Sequence, residues 1–267
     1  MHKLVWLFRK TLLIELTYKF NNLLRLADIL VYVLLFFFLS RLVDKAAMPA
    51  LQTYGGDYFS FILFGLALSW YHNEAQQSFA ANLRGEQMLG TLEALTATGT
   101  PTPFILAGFS LFDFFLVTLQ VGVLIIVGIV FMGVKVVWAN FLLALLILIL
   151  SLLAFLGFGF LSAAFVLVFK RGDPLGWMVK NLSALLGGVY YPVEVLPAWL
   201  QKLSAFLPLT HAVRAVRLVL LKGVTLYEVR HELLILTLFA VVLLPGSLIC
   251  FRFALKKVAV EGTLAGH

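Results

Sequence analysis

The sequence predicts an all-α polytopic membrane protein with six transmembrane helices, and three observations support this fold class. First, 62% of the 267 residues are hydrophobic and only 12% are charged, against about 45–50% and about 25% in soluble domains. Second, several apolar runs exceed the roughly 18 residues that indicate a transmembrane helix. Third, the run FLLALLILIL at 141–150 does not alternate, whereas a β-barrel strand would alternate apolar and polar residues.

The first 22 residues mix cations with large apolar side chains. Most of the apolar side chains share one helical face, although Arg9 interrupts that face. We expect residues 1–22 to form an interfacial helix on the membrane surface; a charged tail without regular structure is the alternative. Cations interrupt the first 25 residues, so a cleavable signal peptide is not expected.

Six apolar segments follow, and the predicted spans are 23–43, 58–81, 104–132, 137–169, 175–189 and 233–253. Polar residues inside lipid are unfavourable, so they are expected to face other helices or an aqueous path. Four such residues lie in spans two and three and are candidates for lining a transport pathway: His72, Glu74, Asp113 and Gln120. Hydrogen bonding between helices, or to the second copy in a dimer, is the alternative role for all four.

A short polar segment joins spans two and three, and its periodicity predicts a helix over 83–97. At helical spacing it presents two faces, one acidic and small, the other apolar. The acidic face contains Glu86, Gly90 and Glu93, and the apolar face contains Met88, Leu92 and Leu95. Gly99 and Pro101 are expected to end this helix. An amphipathic linker without further function is the alternative.

The region 190–221 has two apolar pieces, each too short to cross a membrane. Pro192, Pro197 and Pro208 break helices at their borders. We therefore expect re-entrant or interfacial helices that pack against protein. Arg214 and Arg217 lie three residues apart on the second piece and are candidates for binding an anion or a lipid headgroup; ion pairs with Glu194 or Glu228 are the alternative.

Charge predicts the orientation. An even number of spans places both termini on one side, and that side collects 11 Lys and Arg residues against eight on the other. Basic residues concentrate on the cytoplasmic side, so both termini are expected there. For the same reason, the net charge of +7 indicates cytoplasmic anchoring and not nucleic-acid binding.

Motifs for catalysis are missing from the sequence. It contains no GxxxxGK[ST] phosphate-binding loop, and the HExxH pattern that begins at His231 fails because residue 235 is Ile. His72 and Glu74 have deaminase-like spacing but no accompanying PCxxC. A single cysteine excludes a multi-cysteine metal site. The sequence predicts a chain without catalytic residues or a metal site, and not an enzyme.

Two segments resemble one protein family. EQMLGTLEALTATGTPTP (86–103) is similar to the E-x-x-x-GTLE-x-L-x-x-TP segment of ABC-2 type transporter permeases, and YYPVEVLPAWLQKLSAFLPLTHAVRAVR (190–217) is similar to that family's proline-rich turn, short helix, PLTH and paired arginines. The likeness covers nearly the whole chain and is nearest to the drug and small-molecule exporter type.

The resemblance implies a permease with no cofactor of its own. Two copies would pair as a homodimer with two ATP-binding subunits, which bind ATP and Mg²⁺, in the plasma (inner) membrane. The helix between spans two and three would couple to those subunits, and the matching residues are Glu86, Gly90, Thr91, Leu92 and Glu93. On its apolar face, Met88, Leu92 or Leu95 are expected to seat the helix in a cleft of the partner. The helices after span five would form the outer end of the pathway, and the matching residues are Tyr190, Tyr191, Pro192, Trp199, Pro208, Arg214 and Arg217.

Three alternatives stay open from the sequence. An exporter of lipid-linked glycans or of lipids has the same architecture. A membrane-complex subunit or assembly factor without transport is a different class, and an ion channel is a third. No residue in the sequence identifies the substrate.

Overall fold

The computed structural model describes residues 19–42, 49–92, 94, 99–169 and 173–260. In these ranges the chain is helical, and the longest helices run back and forth along one direction. The helices are α1 (Lys19–Leu42), α2 (Tyr58–Met88), α3 (Thr102–Met132), α4 (Phe141–Phe169), α5 (Pro174–Leu186), α6 (Ala198–Ser204), α7 (Pro208–Arg217) and α8 (Arg230–Val260). A π-helical turn, Leu218–Lys222, continues α7. The predicted helix at 1–22 lies almost wholly outside the described residues.

Four helical segments are long and apolar enough to cross a membrane: Leu23–Leu42, Thr102–Met132, Trp138–Phe169 and Arg230–Val258. A fifth is possible if α6 and the α7 segment, which are bent by 91° at their break, count as one broken span. The multi-pass, all-helical class is therefore confirmed for the described residues. The count of six spans is not confirmed and stays a prediction.

Two predicted spans account for the difference. α5 has 13 residues, which is about 20 Å of helix and less than the roughly 30 Å of a bilayer core. α2 has 31 residues, about 46 Å, but its second half is too polar to resemble a lipid-exposed helix.

The polarity of α2 follows from its position. It packs against α3, α4 and α7, and most of its residues are buried by protein. α1 is the opposite case, because only Ile29 and Val33, one turn apart, are buried in the described part of it. Since protein surrounds α2 and covers little of α1, polar groups are tolerated on α2.

Two clusters of buried side chains lie at opposite ends of the helices. The larger one joins the start of α2 to α7 and to the start of α8; we call this end the Pro208 end. The smaller one joins the end of α2 to the end of α4 and the last turns of α8; we call it the Gly90 end.

Candidate functional site

The Gly90 end begins where α2 stops. The Thr91 N–H donates to the Glu86 carbonyl at 3.0 Å, and the Gly90 N–H donates to the Gln87 carbonyl at 3.1 Å. With Gly90 at φ +67°, this pair of bonds is a Schellman motif, which needs a left-handed residue after the helix. α2 therefore ends at Met88, and the predicted helix over 83–97 is wrong as one continuous helix.

This break changes the two predicted faces. Glu86 belongs to the last turn of α2 and accepts a hydrogen bond from the Thr91 hydroxyl. Because Gly90 leaves the helical conformation, Glu86 and Gly90 do not share a face with residues beyond the break. Glu93 and Leu95 lie outside the described residues.

The apolar face divides in the same way. Met88 is 82% exposed and its neighbour Leu89 is 74% exposed, whereas Leu92 is only 2% exposed. Leu92 packs inside the chain in the cluster at the Gly90 end, so its side chain is not available to a partner. The exposed apolar pair is Met88 and Leu89. Leu89 was not among the predicted residues, although the glycine that follows it is a common signal for the end of a helix.

A polar cleft of about 200 Å³ lies between α1, α2 and α3. Two of the four predicted pathway residues, Glu74 and Gln120, line it. Its other polar and aromatic walls come from Arg25, Asp28, Asn73 and Trp70. Among the described residues, no side chain hydrogen bonds to the Glu74 carboxylate, so that group is available to a ligand in the cleft.

His72 and Asp113 lie elsewhere. The His72 ring is buried, packs edge-on against Phe155 at a centroid distance of 4.6 Å and lies 2.9 Å from the Gln76 side chain. Asp113 accepts hydrogen bonds from Ser78 and from Asn82, the latter at 2.9 Å. Asp113 therefore bonds between α2 and α3, whereas the hydrogen bond of His72 lies within α2. A role for either residue in lining a pathway stays a prediction.

Arg217 anchors the Pro208 end. Its guanidinium donates to the carbonyls of Phe61 at 2.8 Å, Gly188 at 2.7 Å and Val189 at 2.8 Å. It also lies 3.3 Å from the centroid of the Phe61 ring. The side chain thus connects α2, the segment after α5 and α7. Gly65 makes this possible, because a Cβ there would approach the Val189 carbonyl oxygen at 2.5 Å.

Arg214 has a different environment. Its side chain is 50% exposed, and its Nε lies 3.4 Å from Oε1 of Glu232, which is 7% exposed. Neither predicted ion pair is present: Glu194 accepts from the Tyr54 hydroxyl at 3.2 Å, and Glu228 accepts from the Thr225 N–H at 2.8 Å. The ion pair of Arg214 with Glu232, at the start of α8, was not predicted from the sequence.

A pocket of about 290 Å³ opens between α6, α7 and the segment before them, and we call it the Arg214 pocket. Arg214, Glu194 and the buried Thr210 line it together with Tyr54. Burial, followed by the nearby Glu194 carboxylate, raises the pKa of Tyr54 to about 12. Its hydroxyl therefore stays protonated and acts as a hydrogen-bond donor to Glu194.

Most of the other residues predicted at the Pro208 end pack or hydrogen bond within the protein. Tyr190 stacks on Phe36 at 5.8 Å between ring centroids, and the Tyr191 hydroxyl donates to the Leu185 carbonyl. Pro192 and Pro208 are buried, whereas Trp199 is exposed. Within the described part of the chain, no group of three His, Cys, Asp or Glu side chains is placed to hold a metal ion.

The comparisons with known proteins agree with this architecture. The sequence pattern that defines the ABC-2 type transporter family matches residues 2–221, which is most of the 267-residue chain. The chain belongs to the ABC-2 type transporter family. A comparison with curated proteins gave no match. The protein is thus a multi-pass membrane component of an ABC transporter, and permeases of this family normally work with separate ATP-binding subunits.

Proposed function

We propose that the chain is the permease of an ATP-driven exporter and that its ATP-binding subunit docks on the Gly90 end. The observation that carries this proposal is the exposed pair Met88 and Leu89. These side chains extend the end of α2 beyond the polar residues Arg84 and Glu86. Large apolar side chains in a polar, aqueous setting are typical of a protein interface.

α2 links this docking surface to the polar cleft. Glu74 lies 14 residues before Met88 on one unbroken helix, which places the two about 21 Å apart along the axis. A displacement of the α2 end by the partner subunit therefore acts directly on one wall of the cleft. In this proposal Glu74 and Gln120 line the substrate pathway.

The pathway forms between two copies of the chain. The polar cleft is enclosed by only three helices, and the thin outer wall is α1, whose side chains are mostly exposed. A second copy would close the cleft and would shield Glu74 from lipid. Two permeases and two ATP-binding subunits then make the complete transporter in the plasma (inner) membrane, with both termini in the cytoplasm.

The test is copurification of an ATP-hydrolysing subunit, followed by measurement of its ATPase activity with and without this chain. We expect the wild-type chain to bind the subunit and to stimulate hydrolysis. The double variant Met88→Asp with Leu89→Asp should lower binding by roughly tenfold or more, because it removes two apolar contacts of about 1–2 kcal/mol each. Glu93→Arg should leave the chain folded and uncouple ATP hydrolysis from transport.

Tyr227→Asp is the matched control. Tyr227 is also exposed, but it lies in the turn between α7 and α8 at the Pro208 end. The Tyr227→Asp variant should bind the subunit as tightly as the wild-type chain does. Equal binding by the Met88 and Leu89 double variant would rule out docking on this surface. If the Glu93→Arg variant couples ATP hydrolysis to transport as the wild type does, Glu93 does not take part in the contact.

A further inference from the structure

The Arg214 pocket has features of a ligand site that the proposed function does not use. Its volume of about 290 Å³ is near the lower limit of the roughly 300–1,000 Å³ typical of small-molecule sites. It is built from two short helices and two loops, so its walls are separate from the polar cleft. A ligand site here requires only that this end of the protein meets a membrane surface.

One wall of the pocket supplies donors for an anion. The Arg214 guanidinium has five N–H groups, and its one ion pair, to Glu232, is long at 3.4 Å. No described residue accepts a hydrogen bond from it. Arg217 beside it is different, because its three nitrogens donate to backbone carbonyls. Arg214 is therefore the side chain that can bind a phosphate group in two-point contact.

Another wall supplies an acceptor for a cation. Glu194 lies in a short turn, is exposed, and accepts one hydrogen bond from Tyr54 through Oε1. The described residues give no ion pair between Glu194 and Arg214. Glu194 and Arg214 thus line one pocket with opposite charges and no direct contact between them. Arg217 also lines the pocket, but its guanidinium is occupied by three backbone carbonyls. A ligand with a single charge would match only Glu194 or only Arg214.

A third polar group in the pocket, the hydroxyl of Thr210, has no hydrogen-bond partner among the described residues. The Thr210 hydroxyl is almost completely buried, with 9% of the residue exposed, and no described residue hydrogen bonds to it. A buried hydroxyl without a partner is unfavourable by about 1–3 kcal/mol. A ligand oxygen that reached this hydroxyl would remove that penalty.

The neighbouring surface indicates where such a ligand would come from. α6 lies beside the pocket and exposes Trp199 and Leu203, and Phe206 follows just after its end. Tryptophan with exposed aliphatic and aromatic neighbours is typical of the membrane–water interface. At that depth the charged molecules present at highest concentration are phospholipid headgroups.

We propose that the Arg214 pocket binds the headgroup of a zwitterionic phospholipid that carries a primary ammonium, the phosphoethanolamine type. Its phosphate binds Arg214 and reaches the Thr210 hydroxyl, and its ammonium donates to Glu194. A choline headgroup has no N–H to donate to Glu194, and a glycerol headgroup has no positive charge. The pocket therefore selects the ethanolamine headgroup over both.

The experiment uses the full-length chain, purified in detergent and stripped of lipid. Three lipids with identical acyl chains and phosphoethanolamine, phosphocholine or phosphoglycerol headgroups are added in turn, and retention is measured by native mass spectrometry. We expect the phosphoethanolamine lipid to be retained about tenfold more strongly than either other lipid, as one lost charge-assisted contact predicts. Arg214→Gln and Glu194→Gln should each lower its retention about tenfold.

Lys202→Gln is the matched control, because Lys202 is an exposed cation on α6 outside the pocket lining; it should leave retention unchanged. Retention lowered equally by Lys202→Gln would show a general surface effect and overturn the proposal. Stronger retention of the phosphoglycerol lipid by the wild-type chain would show an anion site instead. If Arg214→Gln lowers the unfolding temperature, Glu194→Gln decides the outcome, because its carboxylate is exposed.

Discussion

At the scale of single residues, Arg214 and Arg217 lie only three positions apart on one helix but have different roles. On α7, Arg217 is buried and Arg214 is exposed, although both line the Arg214 pocket. Arg217 has no described carboxylate in ion-pair contact and is instead held by three carbonyls and the Phe61 ring. Arg214 is half exposed and has one long ion pair. The same residue type therefore stabilises the fold at one position and is available to a ligand at the other.

This difference predicts different stabilities for matched variants. Arg217→Met leaves three carbonyls without their charged donor and should lower the free energy of unfolding by about 3 kcal/mol. Arg214→Met removes one long ion pair between a half-exposed arginine and the nearly buried Glu232 and should cost less, about 1–2 kcal/mol. Thermal unfolding of both variants in the same detergent measures the difference. Equal losses would mean that the carbonyl contacts of Arg217 do not contribute.

At the scale of single elements, α2 is the helix whose sequence and role differ most from a simple span. Its first half is apolar and its second half carries His72, Glu74 and Gln76, yet it continues as one helix to Met88. Burial by α3 and α4 explains the polar half. The left-handed Gly90 explains the end.

We expect the residue at position 90 to control that end. Gly90→Val should destabilise the protein by about 1–2 kcal/mol, because a β-branched residue is unfavourable at positive φ. Gly90→Asn is the matched variant and should cost less, since Asn tolerates the left-handed region. The two unfolding temperatures test this. A larger loss in Gly90→Asn than in Gly90→Val would contradict the Schellman assignment.

Particular residues show how much the sequence could predict. Hydropathy identified the long apolar helices, and the prolines at 197 and 208 marked the two short helices, because both signals are local. Periodicity predicted one helix over 83–97, because a single glycine such as Gly90 can either continue a helix or end it in the left-handed conformation. The cleft around Glu74 and the contact between Arg214 and Glu232 depend on which helices pack together, and local pattern carries no information on that.

At the scale of the whole molecule, the predicted orientation in the membrane can be tested by labelling cysteines from one side. The chain has one cysteine, Cys250, which is exposed. In a Cys250→Ser background, the variant Met88→Cys places a single cysteine at the Gly90 end, and the variant Tyr227→Cys places one at the Pro208 end. With the termini in the cytoplasm, Tyr227→Cys should react with a membrane-impermeant maleimide in intact cells. Met88→Cys should react only after permeabilisation.

Labelling in the reverse pattern would show the opposite orientation, and labelling of both sites from one side would contradict the passage of α2 through the membrane. Both positions are well exposed, at 82% for Met88 and 68% for Tyr227. A failure to react therefore reports the barrier of the membrane and not burial in the protein.

The unbroken length of α2 has a mechanical consequence. The Asp57 side chain caps one end, Gly90 closes the other, and Arg217 fastens the first turn to the carbonyls at 188–189. A rigid rod of about 46 Å that tilts by about 5° moves one end by about 4 Å relative to the other. Because no proline interrupts the helix, α2 would convert a small rotation at one membrane surface into a displacement of atomic size at the opposite surface.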